Sequence, residues 1–128
     1  MTVEIEAHKE LVARLVKPGE QIVRELTPDD CNLLHMAVGV SGEAGELLDA
    51  VKKSVIYRKP LDLDNVVEEL GDIEFYMEGI RHQLGITRCE CLRHNINKLD
   101  KRYGSRYSNT AAQVRVDKKG EGEEREAR

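Results

Sequence analysis

Two carboxylate pairs carry the chemistry this chain could do: Glu43 with Glu46, and Glu69 with Asp72. Both lie in the stretch from Ser41 to Tyr76, SGEAGELLDAVKKSVIYRKPLDLDNVVEELGDIEFY, and in each pair the members stand three residues apart. Residues at that spacing share one face of an α-helix. Two such helices facing each other would gather four carboxylates around one small volume, which is self-repelling at neutral pH unless a cation occupies it. Hard divalent ions such as Mg²⁺, with Mn²⁺ as a substitute, share their coordination between carboxylates, waters and substrate phosphates. Such an ion makes a bound water nucleophilic near neutral pH and neutralises charge on phosphoryl oxygens, so the expected chemistry is displacement at phosphorus by water. In a chain with 24 acidic residues, one such pair alone would read as a solvated helix face. Two pairs on consecutive helices, each with a glycine beside it, point to a metal.

The elements that must position these residues are legible. Thr27 is a good N-cap, Pro28 suits a first helical position, and Asp29 and Asp30 favour the positive end of the helix dipole. From there Leu33, Ala37, Val40, Ala44, Leu47, Val51 and Val55 step by threes and fours as one apolar stripe of a long helix, ending near Tyr57 before Lys59-Pro60. Beside it runs a polar or small stripe: His35, Gly39, Glu43, Glu46, Ala50, Lys53 and Tyr57. The next helix is capped by Asp62 or Asp64, carries the apolar stripe Val66, Leu70, Ile73, Met77, Ile80 and Leu84, and stops at Gly85. Its second stripe is Asn65, Glu69, Asp72, Tyr76, Gly79 and Gln83. A further helix opens on the capping box Thr87-x-x-Glu90 and ends at Gly104. Its apolar side is Leu92, Ile96, Leu99 and Tyr103, and its polar side is Cys91, Asn95, Lys98 and Arg102. A short helix over 3–15 precedes them all, ended by Pro18-Gly19, while Ile22 and Val23 fit either a helical turn or an ordered loop.

The polar stripes therefore hold cations as well as carboxylates. Lys53, Lys98 and Arg102 could meet phosphate charge. Tyr76 is spaced to stack on a base, and His35 to contact a nucleobase or sugar. The glycines Gly39, Gly42 and Gly45 each cost about 1 kcal/mol inside a helix relative to Ala. They serve close helix packing, room for a ligand, or both.

The bulk numbers bound the class. The 128 residues suffice for one domain with a real core. Aromatics are 4% with no Trp, against a β-sandwich, and the net charge of −4 gives no general attraction to nucleic acid or an anionic membrane. No apolar run approaches the ~20 residues of a membrane helix. The three cysteines, an odd number behind a polar N-terminus, suit free thiols in a reducing cytoplasm. Residues 1–108 read as a single all-α domain of four to five helices, and 109–128, charged towards the end, as a disordered or frayed tail.

GEAGELLDAVKK followed by EELGDIEFY resembles the signature of the MazG-like, all-α nucleoside triphosphate pyrophosphohydrolases. The later NINKLDKRY is similar to the family segment that helps bind the nucleotide. The resemblance covers roughly residues 33–103. It implies a helical bundle assembled as dimer or tetramer, with sites near the subunit contact, and Mg²⁺-dependent cleavage of a (d)NTP to (d)NMP and diphosphate. Carried over residue by residue, Glu43, Glu46, Glu69 and Asp72 become metal ligands, with Glu43 or Glu46 as catalytic base. Lys53, Asn95, Lys98, Arg102 and Tyr103 become phosphate or sugar contacts, and His35 and Tyr76 base contacts. Substrates differ across the family, purine nucleotides such as dGTP among them, and compact forms recur in bacteriophages, which would place the protein in a bacterial or host cytoplasm. Many relatives follow the RY with a Pro-Glu-Gly-Phe-like stretch where this chain has Gly104-Ser105-Arg106-Tyr107, so no base contact is carried over from there.

Three rival readings compete for the same residues. A di-iron carboxylate bundle needs Glu-x-x-His on two helices, and the residues three before His8, His35, His82 and His94 are Ile5, Asn32, Gly79 and Cys91. Zinc at Cys89-x-Cys91 with His94 fails because the two thiols point about 200° apart on a helix. A non-catalytic oligomerising or partner-binding helical module stands as the alternative, together with a family member acting on a (d)NDP or a modified nucleotide.

Overall fold

The computed structural model describes residues 2–118. The chain is all helical there: α1 (Val3–Leu15), α2 (Gly19–Glu25), α3 (Pro28–Val55), α4 (Leu63–Leu84), α5 (Arg88–Tyr103) and α6 (Asn109–Val114), followed by the 3₁₀ turn η1 (Val116–Lys118). Ile22 and Val23, open between helix and loop in the sequence, fall in α2.

Local chemistry sets the boundaries. Thr27 caps α3 through a reciprocal box in which its hydroxyl accepts from the Asp30 N–H and its own N–H donates to the Asp30 carboxylate. Of the two candidates for the α4 cap, Asp62 takes the role, accepting from the Asn65 N–H at 3.1 Å. Gly85 ends α4 in the left-handed region, φ 65°, where its N–H reaches the carbonyls of Arg81 and His82. Thr87 and Glu90 form the second capping box at the start of α5. The α4–α5 corner is braced by Arg81, which is 8% exposed and donates to Glu78 and Glu74, while Arg88 bonds Glu74 from the α5 side at 3.0 Å.

Among the described residues, α3 and α4 form the extensive helix pair. Their contact runs along the seam between the two stripes of each helix. Val40, Leu47, Ile73 and Met77 come from the apolar stripes, and Gly39, Glu43, Ala50, Glu69, Tyr76 and Gly79 from the polar or small ones; all are at least half-buried. Ala50, at 6% exposure, is the hydrophobic residue that is buried among the described residues. The outer members of the apolar stripes, Ala37, Ala44, Val51, Val55, Leu70 and Leu84, stay exposed. Periodicity identifies them as a face to be covered, and among the described residues they are left open to solvent.

Two glycines explain the close approach. A Cβ on Gly39 would overlap the ring of Tyr76, and one on Gly79 would lie 2.5 Å from Met36 Sδ. The pair is reciprocal: each helix offers a glycine to a large side chain of the other. Gly42 and Gly45 meet nothing within 4 Å, so close packing does not account for them.

Residues 109–118, expected to belong to the tail, form α6 and η1 and fold back on α5. Ser108 caps α6, accepting from the Ala111 N–H. Arg102 donates from Nε and from one terminal nitrogen to the two oxygens of Asp117, at 2.7 and 2.8 Å. The remainder of the expected tail, 119–128, lies outside the described residues.

Two outcomes follow. Gly39→Ala should lower stability in a urea melt by about 1–3 kcal/mol through overpacking against Tyr76, whereas Gly42→Ala, in open space, should raise it by up to about 1 kcal/mol through helix propensity. Equal effects would mean that the helices do not meet at Gly39. The guanidinium of Arg102 lowers the Asp117 carboxyl from the usual 3.8 to about 2. Its folded-state value is depressed, so the contribution is full above pH 3.8 and is lost as pH falls towards 2. Amide exchange over Ala111–Asp117 should therefore accelerate in that window at pH values where α3 amides remain protected.

Candidate functional site

The site begins with helix register. Glu43 on α3 and Glu69 and Asp72 on α4 each bring one carboxylate oxygen into a group lying within 4.8 Å of one another. Oxygens around an ion with bonds of 2.0–2.6 Å stand about 3–5 Å apart, so this triad matches the donor spacing of a hard divalent cation. Glu69 sits at its centre and is 6% exposed. Burial, then the charges of Glu46, Glu43, Glu68 and Asp72, push its carboxyl above the usual range. Among the described residues no Lys or Arg forms an ion pair with Glu43, Glu69 or Asp72. A buried carboxylate facing four others without a paired cation fits a metal site: the missing charge is positive and the donors are hard oxygens.

Glu46 stands beside the triad. It lines a cavity of about 350 Å³ with Gly42, Gly45, Asp49, Lys53, Asn65 and Glu69. The absent side chains of Gly42 and Gly45 open this space on the α3 side. Lys53 is bound at 2.8 Å to Asp49 one turn away, which raises the lysine and lowers the aspartate. Asp49 is thus the group that orients Lys53 on the cavity wall. Asn65 joins the same wall, and its place on the polar stripe was the signal for it.

His35 and Tyr76 are brought together, their ring centroids 6.3 Å apart in an edge arrangement across the helix pair. The α5 residues are not brought to the carboxylates: no α5 side chain lines their cavity. Asn95 is exposed. Lys98 lines a separate cavity, in which Asn97 takes a place on α5. Arg102 is engaged by Asp117, and Tyr103 lies against Tyr107, centroids 5.4 Å apart. The sequence pattern carried no mark of Asp117, because an ion pair fifteen residues apart follows no helical spacing.

A family model described as the MazG nucleotide pyrophosphohydrolase domain matches residues 32–107. That span begins next to Leu33, contains all four acidic residues of the two pairs and runs past the end of α5. The chain is also similar to the "Gene 37 protein" of Mycobacterium phage L5, 32% identical over 83 residues, covering 57% of this chain and 71% of the relative. No solved structure matches the chain. No helix among the described residues is long and apolar enough to cross a membrane.

Replacing Glu69 by Gln removes one buried charge from the cluster. The metal-free variant should melt above the parent, and Mg²⁺, which at a hundredfold over its dissociation constant stabilises a folded protein by about 2.7 kcal/mol, should no longer raise its melting temperature. A variant that melts below the parent yet still responds to Mg²⁺ would remove Glu69 from the metal site.

Proposed function

The chain belongs to the MazG nucleotide pyrophosphohydrolase family, and from that premise we propose that it hydrolyses a nucleoside triphosphate, (d)NTP plus water giving (d)NMP plus diphosphate, with Mg²⁺ or Mn²⁺. The observation that carries the reading is the convergence of Glu43, Glu69 and Asp72 within 4.8 Å on the two helices that the family model covers. Glu43, Glu69 and Asp72 would hold the ion, with Glu46 on the neighbouring wall. A divalent ion bound there supplies a water of lowered pKa and neutralises charge on the phosphoryl oxygens.

The protein's own residues then divide the work. Glu46, outside the tight triad, would take the proton of the attacking water, and Glu43 would help to hold the ion. Lys53, steered by Asp49, meets phosphate charge on the cavity wall. The Gly42 and Gly45 backbone leaves room for the triphosphate. His35 and Tyr76 form the edge on which a base rests, a purine such as that of dGTP among the candidates. Asn95, Lys98 and Tyr103 act from α5, and the chain works as a homodimer or homotetramer in a bacterial or host cytoplasm. The assembly is supported by the apolar side chains left uncovered: Leu48 is 67% exposed, Phe75 66% and Ile96 57%. The same surfaces would serve a non-catalytic oligomerising module, which lacks a use for the carboxylate triad.

The test is a panel of canonical and modified NTPs, dNTPs and diphosphates with Mg²⁺ or Mn²⁺, reading monophosphate and pyrophosphate separately. Glu46→Gln and Asp72→Asn should each lower turnover at least a hundredfold, about 2.7 kcal/mol in the barrier, with helical circular dichroism intact. Release of diphosphate with orthophosphate would overturn α–β cleavage. Unchanged turnover in both variants would overturn the site.

A further inference from the structure

The Tyr76 ring has a fixed seat. Its Cγ, Cδ1 and Cε1 edge occupies the space where a Gly39 side chain would begin. The His35 ring meets it edge-on with centroids 6.3 Å apart, and the Phe75 ring does so at 5.2 Å. The seat is made by ring carbons against a glycine, so the hydroxyl is dispensable for it. A packed ring resists compression of the two helices, and its dispersion contacts resist their separation.

Position along the helix pair gives that seat its meaning. α3 and α4 run antiparallel and their contacts keep step. Met36 faces Gly79, Gly39 faces Tyr76, and Glu43 meets Asp72: three and then four residues forward on α3 match the same numbers backward on α4. The ring therefore stands one helical turn, about 5.4 Å, from the level of Glu43 and Asp72. Sliding is resisted as well, because a shift of one turn would bring His35 or Glu43 opposite the ring in place of glycine. The ions that suit carboxylates differ in what they tolerate. Mg²⁺ demands near-octahedral oxygens at about 2.0–2.1 Å, whereas Ca²⁺ accepts a larger and more flexible set at about 2.3–2.6 Å. Helices free to part under carboxylate repulsion would suit the larger ion.

We propose that Tyr76 is a positioning residue for the metal site: its ring, seated at Gly39, fixes the spacing of α3 and α4 so that Glu43, Glu69 and Asp72 take an ion of the size of Mg²⁺ in preference to Ca²⁺. The proposal rests on the metal reading of the carboxylate triad. It is separate from any contact between the outer edge of the ring and a base, because the selection of the ion operates without nucleotide.

The test uses metal alone on the full chain. Mn²⁺ is titrated in and its free fraction read by electron paramagnetic resonance, then Mg²⁺ and Ca²⁺ are added as competitors. The ratio of their dissociation constants reads the spacing, which a loss of stability by itself leaves unchanged. The parent should favour Mg²⁺. Tyr76→Leu, which stays apolar but loses the ring, should weaken Mg²⁺ about fivefold or more and lower the preference over Ca²⁺ about threefold or more. Gly39→Ala, whose methyl group displaces the ring, should move the preference the same way, and carries the test where Tyr76→Leu does not fold. Tyr76→Phe keeps the ring and should bind both ions as the parent does. Arg81→Ala loosens the α4–α5 corner instead, and should lower the melting temperature with the preference intact. A parent that binds Mn²⁺ but favours Ca²⁺, a parent-like preference in Tyr76→Leu or Gly39→Ala, or an equal loss in Tyr76→Phe or Arg81→Ala would overturn the positioning role and leave the metal site standing. Failure of the parent to bind Mn²⁺ would overturn the metal reading and this proposal with it.

Discussion

The close approach of α3 and α4 is the constraint on which the site depends. Gly39 admits the Tyr76 ring and Gly79 admits Met36, and both openings lie on the helix faces that carry the carboxylates. Because each helix is rigid, the separation at Gly39 sets the separation one turn away at Glu43, and likewise from Tyr76 down to Asp72 and Glu69. The packing that satisfies tyrosine and methionine therefore presses like charges together. Glu69 bears that conflict: burial first, and then the neighbouring carboxylates, raise its carboxyl above the usual range. Apolar packing above the site holds in place an arrangement that electrostatics alone would push apart, and a divalent cation bound there would relieve the repulsion at the point where it is greatest.

A second consequence concerns what this packing leaves bare. Every residue from 2 to 30 is exposed, so no side chain of α1 or α2 is buried among the described residues. Leu92 and Ile96 on α5 and Leu48 on α3 are each more than half exposed. Helical stability in water comes mostly from burying an amphipathic face rather than from propensity. Uncovered apolar surfaces of this kind are what support the proposed assembly, in which α5 of another copy would come to the carboxylates that its own chain keeps apart.

Much of this was legible in the sequence, for identifiable reasons. The caps at Thr27, Asp62 and Thr87 and the stop at Gly85 rest on bonds spanning three or four residues, and local chemistry decides them. The pairing of Glu43 with Glu69 and Asp72 followed from spacing, since helix register converts sequence distance into a shared face. Periodicity was a poorer guide to what a stripe packs against. It marked Leu33 to Val55 as buried, whereas α3 and α4 meet along the seam beside that stripe, because the glycines lie there. Arg102 shows the limit of transfer by motif. Its place in NINKLDKRY suggested a phosphate contact, and its partner Asp117 sits in a segment whose composition suggested no fixed structure at all.

The charge arrangement also explains why Lys53 and Arg102 differ although both are bridged. Lys53 and Asp49 are more than half exposed, so solvent competes for each partner and the lysine can exchange its carboxylate for a phosphate at small cost. Arg102 and Asp117 are largely withdrawn from water, and their fork geometry fixes two bonds at once. Separating that pair would strand a buried carboxylate, which is far costlier than exchanging an exposed contact. A cation meant to meet substrate and release product should be held as Lys53 is held. A cation held as Arg102 is held organises the structure around it.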